Sequence, residues 1–277
     1  KHNNNMRTII VDTDFSQGSY EALDAAVDIA NTMQAHVKIL WVRRQKKTSF
    51  NEDQTRRLAA DKLQQLCLQH APRMKNDSQI SWEICYGKVE NVLSEQAATL
   101  HAPFVVIGTN GAEGHEKYWG GSTAVRVMQK VPCPTLIIRE GYQFRDTFER
   151  IVVPVRINAD SRQKVPPAAA IAKIFGSQVH ILGLTESVSE TNALKVYLKQ
   201  VENYFASEGI AFTSIGRRYE NYTDTVLQYC NEIKADLVVI NTQQQKVIAR
   251  LFLGTNAQQM VHRSTFPVMC VHPEDVF

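Results

Sequence analysis

The chain has 277 residues, 44% of them hydrophobic and 21% charged, the composition of an ordinary globular protein with room for about two domains. Its net charge is only +3 and its basic residues are scattered, which excludes the strong positive field of a nucleic-acid binder. No apolar run reaches the ~20 residues that span a bilayer, and the polar opening Lys1 to Asn5 does not read as a signal peptide, so a soluble, cytoplasmic protein is expected.

Taken in chain order, β-branched runs alternate with stretches of helical periodicity. Strands are predicted near 8–12, 36–42, 80–86, 104–108 and 134–138, and helices near 18–33, 52–70, 88–100 and 122–130. Residues 142–148 read as a linker. The order then repeats: strands near 150–155, 178–184, 211–219, 237–240 and 267–271, helices near 164–175, 190–208, 222–233 and 255–263. Val105-Val-Ile-Gly108 returns as Val238-Val-Ile-Asn241, and Gly121-Ser122 returns at the same offset as Gly254-Thr255. The chain is a tandem repeat with domains 1–141 and 149–277. Such alternation predicts an α/β fold: two doubly wound, five-stranded parallel-sheet domains, each covered on both faces by helices.

Residues 105–123 carry the chemistry. An apolar strand runs into Gly108 and Gly111, and a spacer leads to Gly121-Ser122-Thr123 at the start of the next helix. Glycines let a backbone approach an anion and turn its N–H groups inward, and a helix start favours negative charge. Asp14, after the first strand, lies at the same kind of carboxyl-end position, where doubly wound sheets bind ligands. Each residue also has a plainer reading. Asp14 can be a helix N-cap, Ser122 and Thr123 likewise, and Val42 can be core. Glu113 and Glu116 place negative charge in the same loop, opposing phosphate unless they face solvent or hold a metal such as Mg2+.

Enzyme signatures are missing. No G-x-x-x-x-G-K-[ST], G-x-S-x-G, H-E-x-x-H or G-x-G-x-x-G occurs, so no catalytic residue is assigned and a non-enzyme is expected. The five cysteines are dispersed without a C-x-x-C pair, which fits a reducing compartment.

The pattern G-x2-G-x9-G-[S/T], together with Asp12-Thr-Asp-Phe-Ser16, Leu40-Trp-Val42 and Tyr86-Gly-Lys88, resembles the universal stress protein family in its tandem two-domain form. The resemblance implies a strand order of 3-2-1-4-5 and a bound adenine nucleotide, ATP or ADP, with a divalent metal such as Mg2+ nearby. It implies roles as well: Asp14 beside the nucleoside, the backbone of Val42 on the adenine, and Gly108 and Gly111 against ribose and phosphates. Gly121 and Ser122 would then cap the phosphate tail. Asn110 and Ala124 depart from the usual residues, with Thr123 one position nearer as a substitute hydroxyl. A stress-response regulator or sensor is implied, with a protein partner and a homodimer in prospect. The competing expectation is a nucleotide-free interaction scaffold built as an intramolecular pseudo-dimer. The second copy has Asn241 and Gln244 for the first two glycines and Arg156 for Asp14. It is expected to be nucleotide-free, with Arg156 or Arg250 available to a different anion.

Overall fold

The computed structural model describes residues 6–43, 52–109, 122–242 and 256–272. The chain folds as two compact units, Lys1–Asp146 and Thr147–Phe277. The first runs β1 (Thr8–Asp12), α1 (Gln17–Met33), β2 (His36–Arg43), α2 (Glu52–His70), β3 (Ile80–Tyr86), α3 (Val89–Leu100), β4 (Val105–Thr109), α4 (Ser122–Met128) and β5 (Thr135–Arg139). The second repeats the order: β6 (Arg150–Val155), α5 (Val165–Phe175), β7 (Gln178–Thr185), α6 (Thr191–Ser207), β8 (Phe212–Arg218), α7 (Tyr222–Ile233), β9 (Leu237–Asn241), α8 (Asn256–Arg263) and β10 (Val268–Val271).

Within the first unit the strands lie β3-β2-β1-β4-β5, and within the second β8-β7-β6-β9-β10, all neighbours parallel. This is the doubly wound α/β architecture and the 3-2-1-4-5 order expected from the sequence. In each unit the direction of winding reverses beside the first strand, between β1 and β4 and between β6 and β9. Ile9, Ile10 and Val11 of β1 are fully buried, as are Ile151, Val152 and Val153 of β6, because helices cover both faces of a parallel sheet.

Helix α1 explains how the first switch point is shaped. Its sheet-facing residues are mostly small, Ala22, Ala25, Ala26 and Ala30 among them, so its axis comes close to the strands. At its first turn the approach becomes backbone on backbone. A Cβ on Gly108 of β4 would lie 2.2 Å from the carbonyl oxygen of Gly18 and 2.6 Å from the amide nitrogen of Ser19. A Cβ on Gly18 would in turn lie 2.9 Å from the Thr109 carbonyl oxygen. Both positions are glycine because two main chains touch there. Further along, the Asn31 amide fixes the far end of α1 by donating to the Arg73 carbonyl at 2.9 Å and accepting from the Lys75 N–H at 2.8 Å.

Gly108→Ala therefore forces the β4 and α1 backbones apart, and urea unfolding is expected to show a loss of roughly 2–4 kcal/mol. Gly216→Ala in β8, where the nearest atom to a new Cβ is 3.9 Å away, is expected to stay within about 0.5 kcal/mol of the wild type.

Candidate functional site

The connection from β1 to α1 is a short, heavily bonded turn at the carboxyl edge of the sheet. The Thr13 N–H donates to the Leu40 carbonyl at 2.9 Å, continuing the β1–β2 ladder by one bond. The Thr13 hydroxyl is buried, lies 3.0 Å from the Ser19 hydroxyl and accepts from the Phe15 N–H at 3.1 Å. Phe15 is consequently held in the left-handed region at φ 64°, a conformation that is strained for a bulky side chain. Its ring leans on Trp41 at 5.8 Å, with the Lys62 ammonium 5.1 Å above it.

That turn leaves Asp14 exposed, with one carboxylate oxygen accepting from the Ser16 N–H at 3.0 Å. Ser16, not Asp14, is the N-cap of α1, its side chain accepting from the Ser19 N–H at 3.3 Å. The capping alternative for Asp14 is thereby removed.

Strand lengths expose the next group. The β1–β2 pairing stops at Asp12 against Leu40, whereas β2 continues to Arg43 and stays paired with β3, Val42 lying opposite Cys85. Val42 thus stands beyond the β1 ladder, with its β1-side edge beside the turn that carries Asp14. It is partly exposed rather than core. Gly108 lies on the same edge, beyond the end of the β1–β4 register and in contact with α1.

Ser122 opens α4, and the hydroxyl of Thr123 accepts from the Arg126 guanidinium at 3.1 Å. Arg126 also reaches Glu90 on α3 at 3.4 Å, which holds the guanidinium against Thr123. Gly111 and Gly121, with Asn110, Glu113 and Glu116, lie outside the described residues, as do Gln244, Arg250, Gly254 and Thr255 of the second copy.

Asp12, read in the sequence only as part of the motif that follows the first strand, closes β1 beside Asp14. Burial, with the neighbouring Asp14 charge adding to it, pushes its carboxyl from 3.8 up to about 7. Two carboxyl groups therefore share this edge, one exposed and one that changes charge near neutrality. Such a pair suits a hydrated divalent cation held jointly with phosphate oxygens. Among the described residues no group of three or more His, Cys, Asp or Glu side chains forms a closed metal site.

Comparison with known proteins decides the family. The sequence model described as "Universal stress protein family" matches residues 5–139 and again 147–272. The chain belongs to the universal stress protein family. Universal stress protein MJ0531 of Methanocaldococcus jannaschii is 28% identical over 140 residues, covering 48% of this chain and 82% of that protein. A universal stress protein from Archaeoglobus fulgidus has the same fold over 98% of this chain and 99% of its own, at a TM-score of 0.78 and 18% identity. A functionally unknown protein, PA1789, from Pseudomonas aeruginosa follows at a TM-score of 0.64 and 15% identity, covering 98% of this chain and 94% of its own. No described helix of this universal stress protein is long and apolar enough to cross a membrane.

The raised carboxyl of Asp12 makes a signed prediction. An unfolded chain releases this proton near pH 4, whereas the native universal stress protein holds it to about pH 7, so Asp12 weakens the fold progressively across that window and by a constant amount above it. Asp12→Asn is expected to match the wild type at pH 4 and to be more stable at pH 8 by roughly 2–4 kcal/mol in urea titrations.

Proposed function

We propose that the N-terminal domain, 1–141, binds an adenine nucleotide, ATP or ADP, and that occupancy makes this protein a cytoplasmic stress-response regulator or sensor rather than an enzyme. The degenerate domain, 149–277, follows through the linker 142–148. The observation that carries this reading is the carboxyl edge of the first sheet. Exposed Asp14 faces solvent there, next to a β2 edge at Val42 that outruns β1. A flat base can take hydrogen bonds from the Val42 backbone while Asp14 accepts from a ribose hydroxyl.

Phosphates follow the glycine spacing. Gly108 brings β4 under the first turn of α1, and the chain beyond it supplies Gly111, Gly121, Ser122 and Thr123 as amide and hydroxyl donors. Asp14, with Asp12 behind it, offers carboxylate oxygens to a Mg2+ that the phosphates also ligate. The sequence carries no G-x-x-x-x-G-K-[ST] P-loop motif, and no general base is assigned. Binding acts instead by favouring one set of partner contacts over another.

Calorimetry with Mg-ATP tests the reading. Wild-type protein is expected to bind, Asp14→Ala to bind roughly 10–100-fold more weakly, and Gly111→Val and Gly121→Val not to bind although still folded. Gly254→Val is expected to bind like the wild type. Equal losses at Gly121 and Gly254 would overturn the assignment of the halves, and no binding by the wild type would leave the scaffold reading in its place.

A further inference from the structure

The second unit has rebuilt its switch point with the opposite sign of charge. Residues 156–164 join β6 to α5, where the first unit uses only 13–16, and part of the insertion forms a 3-10 turn over Ala159–Arg162. The turn is braced on itself. The Arg156 N–H donates to the Ser161 hydroxyl at 2.8 Å, the Asn158 N–H to the Arg156 carbonyl at 2.9 Å, and the Ser161 N–H to the Asn158 side chain at 2.8 Å.

Below it Lys164, at the head of α5, is 3% exposed. Its ammonium donates to the Ser161 carbonyl and to the Asn241 side-chain oxygen, each at 2.8 Å. The Arg156 guanidinium lies 5.0 Å over the ring of Tyr222. A cavity of about 30 Å³ is lined by Arg156, Ser161, Lys164, Tyr222, Asn241 and Asn256, with no carboxylate among its lining residues. The hollow is open to solvent on one side, so the leading oxygens of a tetrahedral anion can enter between the two cations while the rest stays at its mouth.

Two cations thus share one polar hollow, and among the described residues neither makes an ion pair. The Arg156 guanidinium bonds the Tyr219 hydroxyl, which donates to Glu186 at 2.6 Å, but no carboxylate lines the hollow that it shares with the buried Lys164 ammonium. We propose that the missing countercharge is a phosphate-class dianion, bound between Arg156 and Lys164 in the C-terminal unit. It is recognised by two side-chain cations and the Ser161–Asn241 frame, not by a glycine-lined backbone.

Binding is coupled to a proton. Burial first, and the Arg156 charge second, push the Lys164 ammonium down to about 7. The groups facing it are Arg156 at the end of β6, Ser161 on the turn, Asn241 on β9, Tyr222 on α7 and Asn256 on α8. Tyr222 is raised by its burial to about 12 and stays neutral, so Lys164 is the group that takes up the proton as the anion enters.

Sulfate, a dianion that does not titrate near neutrality, is the probe. Calorimetry of the full chain at constant ionic strength, in two buffers of different ionisation heat, is expected to show saturable sulfate binding with net proton uptake at pH 8. Affinity should fall about tenfold per pH unit above 7. Arg156→Gln, a partly exposed position, should weaken binding at least tenfold with an unchanged far-UV circular dichroism spectrum. Lys164→Met should abolish the proton uptake. Gly121→Val should leave sulfate binding intact, which separates this site from the nucleotide site of the first unit. Glycerol 3-phosphate that competes with sulfate supports capture of a phosphoryl end, and inorganic phosphate competing alone supports a free oxyanion. Absence of saturable binding by the wild type, binding unchanged in Arg156→Gln, or loss caused by Gly121→Val would each overturn the proposal.

Discussion

The contact between the main chains of Gly108 and Gly18 is the constraint on which the first unit's geometry depends. Because no side chain intervenes, the first turn of α1 rests directly on the end of β4, and the chain leaving β1 has only Thr13 to Ser16 in which to reach it. So short a connection is closed by the buried Thr13 hydroxyl, which bonds both the Phe15 N–H and Ser19. Phe15 is driven into a left-handed conformation, and Asp14 is turned outward. Backbone strain at one residue is thereby balanced by hydrogen bonds from its neighbours, a common arrangement where a loop must present a polar group.

In the second unit that constraint is lifted. Asn241 occupies the position of Gly108, and α5 begins only at Val165, after a connection long enough to fold a turn of its own. The Asn241 side chain has become a partner for the Lys164 ammonium. Charge has inverted with the geometry. Asp12 and Asp14 mark the edge of the first sheet, whereas Pro154 and Arg156 stand at the matching places of the second, with Lys164 buried behind. Each edge holds one group that titrates near neutrality, a partly buried carboxyl in the first and a buried ammonium in the second. The two units share one fold and differ in charge at this edge because their connections after the first strand differ.

Much of the fold was legible from the sequence, since a strand buried on both faces must be apolar throughout, as Ile9-Ile10-Val11 and Leu237 to Ile240 are. Element ends were less so. β2 runs to Arg43 because β3 continues beside it, and α4 stops at Met128 short of the periodic stretch. The candidate site divides along the same line. Asp14 follows the end of β1 as the sequence suggested, whereas Val42 is not the last residue of its strand, because β2 continues to Arg43. Gly108 was read as space for a ligand, but the atoms nearest its missing side chain belong to α1, a fact that no local pattern contains. Ser16 rather than Asp14 caps α1 because the Asx turn at Asp14 delays the helix start. Lys164 gave no signal at all: a lysine before a helix is ordinarily solvent-exposed, and its burial depends on Asn241 far along the chain.

The two edges differ in charge and in the connection after the first strand, and under the proposed function only the first takes a nucleotide. Amide hydrogen exchange with and without Mg-ATP tests it most directly. Slowed exchange is expected in 12–16, 40–43 and 108–123, with no change in 237–257. Exchange that is unaltered in the first unit, or slowed equally at both edges, would contradict it.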